Sequence, residues 1–338
     1  MATINDVAEK ARVSVATVSR VINNSDHKVN ENTRKRVLLA IKELDYHPNA
    51  VAKSLQMRKT DTIGVIIPDI SNPYYAEIVR GVQDAAEEFG FSLILQNTDR
   101  DLRKLTRGIS LFREKNVEGI IFSGGIIEDK EVTPVLGAMQ EKSVVIGRQR
   151  MDIPSIRIDN RALTIRVVDH LASLGYTSLG FIGGPASSTT SEDRRCGFVE
   201  GAESHSCRFD ERFILPGELS LESGYARTSR ILEYDDFPQA LVTVNDQIAF
   251  GAIKAIKDRG LRVPEDIAVT GFDNVPLTRY FDPTVTTVNI PRYEMGRRAL
   301  KLLLHRIRGS RVEEVTFFEC QLVVRNSTKL QAKPSKTK

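Results

Sequence analysis

Arg20 lies in the run Ser14-Val15-Ala16-Thr17-Val18-Ser19-Arg20-Val21-Ile22-Asn23, which sets one guanidinium among small apolar and hydroxyl side chains at helical spacing. An arginine can donate two hydrogen bonds to the edge of a guanine, and small apolar side chains can meet the methyl group of thymine. Val18, Val21 and Ile22 recur as a buried face, so Val15, Ala16, Thr17, Ser19 and Arg20 are left facing outward. The chemistry on offer is the reading of bases in a DNA groove.

Two short helices must present those residues. Thr3 and Asp6 have the spacing of a capping box for the first, in which Thr3 accepts from the amide three residues on and Asp6 reaches back. Ile4, Val7, Ala8 and Ala11 form its apolar stripe, Arg12 and Val13 make the turn, and Ser14 caps the second helix. A third helix is expected after Asn30, with Val37, Leu38, Ile41 and Leu44 closing a small core. Three amphipathic helices without a nucleic-acid role are the plain alternative. Charge argues against it, because the first 60 residues hold 11 Lys+Arg against 6 Asp+Glu and the other 278 hold 37 against 38. A basic excess confined to the head suits phosphate neutralisation, and it predicts binding that weakens steeply with salt.

Tyr46-His47-Pro48-Asn49-Ala50-Val51-Ala52-Lys53-Ser54-Leu55 stops at a proline and restarts as a helix too short to be stable alone. Pairing with a twin in a dimer could order it against the minor groove, with Leu55 as a wedge between base steps. A linker helix packed on its own domain is the other reading of the same pattern.

From residue 62 the pattern changes to apolar runs alternating with helical stretches. Residues 62–68, 91–96, 117–123 and 143–147 read as buried strands, and residues 179–183, 213–216, 240–244 and 267–271 as a second set. Two doubly wound parallel sheets follow, with ligands expected beyond the carboxyl ends of the strands. Asn72, Pro73 and Tyr74 follow the first strand, Arg148 the fourth, and Arg194 a helix start; Asn245 and Asp273 follow later strands. They suit a small polyhydroxylated molecule, with Tyr74 stacking on its apolar face. Each also has a simpler reading: Asn72 and Asn245 as helix caps, Asp273 as a loop organiser, Arg194 as a partner for Asp193.

Several classes are argued against. No phosphate-binding glycine loop, H-E-x-x-H metal motif or G-x-S-x-G nucleophile turn occurs, so no catalytic residue, metal or cofactor is expected and the chain does not read as an enzyme. Cys196, Cys207 and Cys320 lack paired metal spacing and read as idle thiols. With no secretory signal and no apolar run of membrane-spanning length, a cytoplasmic protein without a membrane partner is expected.

The run from Thr3 to Asn23, then Tyr46-x-Pro48-Asn49-x-Val51-Ala52-x-x-Leu55 and Ile63-Gly64-Val65-Ile66-Ile67-Pro68, resembles the lactose/galactose repressor (LacI/GalR) family. The resemblance continues through His170-Leu171-x-x-Leu174-Gly175, Arg194-x-x-Gly197-Phe198, Asn245-Asp246-Gln247-x-Ala249-x-Gly251-Ala252 and Gly271-Phe272-Asp273, to about Thr328. It implies an all-α helix-turn-helix head at 1–48, a hinge helix and linker at 49–60, and a periplasmic-binding-protein-like α/β core at 61–328. The chain would cross between the two core subdomains near residues 160, 290 and 320, giving an N-subdomain of about 61–159 and 290–318 and a C-subdomain of about 160–289 and 319–328. The polar tail, 329–338, carries no leucine heptad, so a homodimer without a tetramerising coiled coil is expected.

The function implied is ligand-gated repression of a carbohydrate-utilisation operon through a pseudo-palindromic operator. Val15, Ala16, Arg20 and Leu55 would contact bases, and Asn5, Ser14, Thr17, Asn23 and Thr33 phosphates. The effector would be a sugar, sugar acid or sugar phosphate held by Asn72, Tyr74, Arg148, Arg194, Leu219, Asn245 and Asp273. Two departures from the family pattern fit an anionic effector held by Arg148 and Arg194: Gly147 stands where relatives often have an aspartate, and Leu219 where they commonly have an aromatic; the plain alternative is an Arg148 that points to solvent and an ordinary neutral sugar. Two alternatives remain. A global catabolite regulator would dock a phosphoprotein corepressor on the N-subdomain, where the helix Arg292 to Arg308, rich in Arg297, Arg298, Lys301, Arg306 and Arg308, allows it; a solvated basic helix is the plainer reading of those residues. A solute-binding protein would share the cleft but lack the head.

Overall fold

Helix α1 (Ile4–Ala11) starts as the Thr3–Asp6 spacing predicts: the Thr3 amide donates to Asp6 Oδ2 at 2.7 Å, and the Asp6 amide donates to Thr3 Oγ1 at 3.4 Å. The computed structural model describes residues 2–22, 29–46, 59–124, 132–149 and 152–329, and the chain divides into two units, residues 1–60 and 61–338. Asn23, Leu55, most of the expected hinge helix and the tail beyond Lys329 lie outside the described residues.

In the first unit, α2 (Val15–Ile22) and α3 (Glu31–Glu43) complete the head. Arg12 takes a left-handed conformation (φ 51°) that ends α1, and the side chain of Asn30 caps α3 by accepting from the Asn32 amide. Val7, Ala8, Ala11, Val18, Val21, Val37 and Ala40 form the core, with Ile41 and Leu44 packed against it. Leu38 is a correction. It is 49% exposed, and Ala40 takes the buried place. Residues 37, 40, 41 and 44 share one side of a 3.6-residue helix, whereas position 38 is turned about 100° away.

The second unit is built on two parallel sheets. The elements of the first are β1 (Thr62–Ile67), α4 (Pro73–Glu88), β2 (Ser92–Asn97), α5 (Leu102–Glu114), β3 (Gly119–Ser123), α6 (Val132–Leu136), β4 (Ser143–Ile146) and β5 (Ser155–Arg157). Those of the second are α7 (Asn160–Ser173), β6 (Ser178–Ile182), α8 (Thr189–Ser204), β7 (Arg208–Leu215), α9 (Leu221–Ile231), β8 (Ala240–Thr243), α10 (Asp246–Asp258) and β9 (Ala268–Thr270). The chain closes with β10 (Thr287–Asn289), α11 (Arg292–Ile307), β11 (Val315–Phe317) and β12 (Gln321–Val323). Strand order is β11-β5-β4-β3-β1-β2 in the first sheet and β7-β6-β8-β9 in the second, while β10 and β12 form a separate antiparallel pair.

Central strands β3, β4, β6 and β8 are buried along their whole length, as apolar runs covered by helices on both faces require. The edge strand β7 is longer than its apolar end suggests. It begins at Arg208, because an edge strand can carry Asp210, Glu211 and Arg212 toward solvent. Strands β5 and β11, three residues each, extend the first sheet beyond the four strands expected, being too short to show a period.

Glycines set the helix contacts. A Cβ on Gly251 would collide with the Leu221 carbonyl oxygen, and one on Gly224 with that of Ile248, so α9 and α10 touch backbone to backbone. Gly81 and Gly296 play the same part between α4 and α11. No helix among the described residues is long and apolar enough to cross a membrane.

Candidate functional site

On the head, Ser14 accepts from the Thr17 amide at 3.2 Å and its hydroxyl lies 2.9 Å from that of Thr17, which starts α2 at a fixed point in the turn. Val15, Ala16 and Arg20 are exposed on one side of α2, and Val18 and Val21 are buried on the other. Asn5 and Ser14 are exposed; Thr17 and Thr33 are half-buried. A short helix that shows solvent an arginine beside small side chains has the shape and donors to enter a major groove.

In the second unit, the carboxyl ends of both sheets face a cavity of about 150 Å3. All seven residues expected to hold an effector line it: Asn72, Tyr74, Arg148, Arg194, Leu219, Asn245 and Asp273. A cavity of that size admits one six-membered ring.

Asn72 and Asn245 are the caps of α4 and α10, their Oδ1 atoms accepting from the Tyr74 and Ile248 amides at 3.0 Å. With each oxygen committed, the carboxamide nitrogen is left as the donor. Tyr74 packs edge-on against Tyr75 with ring centroids 5.0 Å apart, and Arg100 donates to the Tyr75 hydroxyl at 3.1 Å. Burial raises both phenol pKa values, so the hydroxyls stay protonated.

Arg194 is buried and heavily committed. Its Nε donates to Asn160 Oδ1 at 2.9 Å, its Nη1 donates to the Val244 carbonyl, and its guanidinium lies 3.5 Å from the Phe272 ring centroid. Its acidic neighbour is Asp273, 3.9 Å away, and not Asp193. Asp193 instead joins Glu192 in pairing with Arg148, at 3.1 and 3.0 Å. Arg148 is therefore neither directed to bulk solvent nor free, and its pairs tie the end of β4 to the first turn of α8.

Asp273, at φ 110°, is held in a strained turn and is buried. Burial pushes its carboxyl up to about 6, with Arg194 and Arg292 pulling the other way. Asp246 is fully buried beside it, accepting from the Thr287 hydroxyl at 2.6 Å and the Val275 amide at 2.8 Å. Desolvation, and then the Asp273 charge, raise Asp246 well above the usual carboxylate range.

Sequence reasoning missed Arg100, Gln149, Asn160, Ser191, Asp246 and Arg292. Arg292 is buried, donates to the carbonyls of Asp273 and Asn274, and pairs with Glu77 at 2.7 Å. Its place directly after Pro291, at a helix start, was the available signal. Farther along α11, Arg297 pairs with Glu88, Arg298 with Glu313, and Arg306 donates to the carbonyls of Gln140 and Glu141. That helix is not simply a solvated basic face.

Residues 3–49 match the model for bacterial regulatory proteins of the lacI family, and residues 168–328 match that for a periplasmic binding protein-like domain. The chain is 36% identical over 329 residues to the HTH-type transcriptional regulator RegA of Clostridium saccharobutylicum, covering 96% of this chain and 98% of that protein. It is 36% identical over 309 residues to catabolite control protein A of Priestia megaterium, covering 89% and 91%. The lac repressor dimer bound to operator and the anti-inducer ONPF superposes with a TM-score of 0.89 at 28% identity, covering 97% of this chain and 99% of that one. An exposed reading helix, a two-lobed α/β core and relatives that are regulators, not enzymes, agree: the chain belongs to the lacI family of bacterial regulatory proteins and is a DNA-binding transcriptional regulator.

Proposed function

We propose that the protein is a dimeric repressor of a carbohydrate-utilisation operon, acting in the cytoplasm and controlled by a sugar or sugar-derived effector. The head, 1–48, would read a pseudo-palindrome through Val15, Ala16 and Arg20, with Leu55 of the 49–60 hinge at its centre. Asn5, Ser14, Thr17, Asn23 and Thr33 would hold phosphates.

One observation carries the effector reading: the single-ring cavity is lined by the cap asparagines Asn72 and Asn245, the Tyr74 ring and the Arg194–Asp273 pair. Such a set offers donors, an acceptor and an apolar face to a hydroxylated ring. Because the cavity lies between the two sheets, a ligand can bias how the lobes close. The coupling must be reciprocal, so operator DNA changes effector affinity by the same factor that effector changes operator affinity.

A thermal-shift screen with neutral sugars, sugar acids, sugar phosphates and nucleobases tests this reading, since a ligand bound only by the folded state raises the melting temperature. A sugar-class hit that also changes operator affinity in fluorescence anisotropy is the expected result. A shift confined to nucleobases would overturn it.

A further inference from the structure

Arg100 brings to the cavity a charge that the protein does not answer. It lines the cavity with Arg148 and Arg194, but Glu192 and Asp193 pair with Arg148, and Asp273 stands by Arg194. Among the described residues Arg100 meets only uncharged oxygens: its Nη2 donates to the Tyr75 hydroxyl at 3.1 Å and its Nη1 to the Gly124 carbonyl at 3.5 Å. The carboxylates on either side of it in the chain are engaged elsewhere. Asp99 pairs with Lys104, and Asp101 caps α5 by accepting from the Arg103 and Lys104 amides at 2.7 and 3.2 Å. A half-buried guanidinium without a counter-charge favours an anion arriving from outside.

The backbone is bent to put it there. Asp99 and Arg100, at φ 50° and 59°, are consecutive non-glycine residues in the left-handed region just after β2, a conformation that persists only where the surroundings hold it. The Asp99 amide donates to the Pro68 carbonyl at 2.7 Å and the Asp101 amide to that of Thr98 at 2.8 Å, which fixes the turn at the carboxyl end of the sheet. Gly124, at φ 64°, follows β3, and a Cβ there would stand 2.3 Å from the Tyr75 hydroxyl oxygen. Tyr75 is buried edge-on to Tyr74, and after burial its phenol responds to the charges of Arg100, Asp273 and Arg194, which places its hydroxyl toward the cavity. Since Arg100 donates to that oxygen, the hydroxyl keeps its own hydrogen to donate.

A guanidinium and an O–H that meet at one spot fit an oxyanion. We infer that the effector is an acidic sugar, a single ring bearing a carboxylate or a phosphate, whose oxyanion accepts from the Arg100 guanidinium and the Tyr75 hydroxyl. The inference rests on the cavity being a sugar site, as proposed above. It moves the anionic anchor away from Arg148 and Arg194, whose charges are met within the protein, to the turn after β2. The ring lies on Tyr74, and its hydroxyls reach Asn245 and Asp273 on the other lobe. A neutral sugar would leave Arg100 without a counter-charge.

Isothermal titration and thermal shift on the full chain compare D-glucuronate, D-galacturonate, D-glucose 6-phosphate, D-galactose 6-phosphate and D-ribose 5-phosphate with D-glucose, D-galactose and D-ribose. At least one acidic sugar is expected to bind roughly tenfold or more tightly than its neutral counterpart, and the compound that leads tells carboxylate from phosphate. Binding led by a neutral sugar overturns the inference and leaves the sugar reading standing. No binding by any of these compounds overturns both.

Arg100→Gln supplies a second readout. It is expected to erase the preference, weakening the acidic sugar roughly tenfold or more while neutral sugars bind as before. A preference that survives the change would put the anion elsewhere in the cavity and overturn the assignment to Arg100. Tyr75→Phe keeps the ring against Tyr74 and removes only the hydroxyl, so the acidic sugar is expected to bind several-fold more weakly. A lower melting temperature in these variants with unchanged affinity for the acidic sugar would make the Arg100–Tyr75 contact structural, which also overturns the inference.

Discussion

Arg148 Nη2 stands 3.0 Å from Glu192 Oε2, and the pair joins the end of a strand in one lobe to the first turn of a helix in the other. Asp193, 3.1 Å from the same nitrogen, reinforces it. The Arg148 and Glu192 side chains are 34% and 56% exposed, so water screens the attraction and the pair adds little to stability. Glu192→Gln is expected to lower the core melting temperature by no more than about 2–4 °C. It should also speed effector release several-fold in stopped-flow displacement, and an unchanged rate would show that the pair does not hold the lobes.

Arg194 differs because it is buried. Arg194→Ala would leave Asp273 with Arg292 as its one remaining guanidinium neighbour, the Val244 carbonyl and Asn160 without the donor they have, and a gap over Phe272. Breaking a buried pair from one side costs about 3–5 kcal/mol. Urea denaturation followed by circular dichroism measures the loss, and a change under about 1 kcal/mol would mean that water enters and solvates the remaining groups.

Stability should depend on pH through Asp273. Its carboxyl titrates at about 6 in the folded protein, against 3.8 for the unperturbed group, so between these values the folded state holds a proton that the unfolded state has released. The stability this contributes is complete below the lower value and is lost as pH rises through the upper one. Asp246 is raised in the same direction. Asp273→Asn is expected to flatten the fall in unfolding free energy between about pH 4 and 7, by on the order of 2–3 kcal/mol. A variant with the same slope as wild type would place the titration elsewhere.

At the head, Arg20→Ala is expected to weaken operator binding by about 1–3 kcal/mol while scarcely changing binding to unrelated DNA. Fluorescence anisotropy against salt concentration separates the roles: a base reader leaves the salt slope nearly unchanged, whereas loss of a phosphate contact lowers it by about one.

Gly251→Ala tests the packing of α9 on α10. Its new methyl would meet the Leu221 carbonyl oxygen, and the helices must move apart to admit it. Overpacking of this kind costs about 1–3 kcal/mol, read as a lower melting temperature without loss of the fold.

The head was largely legible because its signals are local. The Thr3–Asp6 cap, the Arg12 turn, the Ser14 cap and the outward set of α2 all follow from spacings of three or four residues. Leu38 was misplaced because an apolar residue beside a true core position is indistinguishable by type alone. In the core, buried central strands announced themselves as apolar runs, while β5 and β11 were too short and the charged half of β7 too polar to register.

The sequence by itself determined a reading helix, two wound sheets, the strand ends that Asn72, Tyr74, Arg148, Leu219, Asn245 and Asp273 follow, and a helix that carries Arg194. Periodicity and capping act over a few residues, and strand ends in such folds always face the ligand side. Only the tertiary structure decided the partners: Arg148 with Glu192 and Asp193, Arg194 with Asn160, Val244 and Asp273, and Arg292 with Glu77. These residues are up to 215 positions apart in the chain. Which charges neutralise one another, and which buried atoms are left unpaired, depends on how two separately wound lobes close, and no local spacing encodes that.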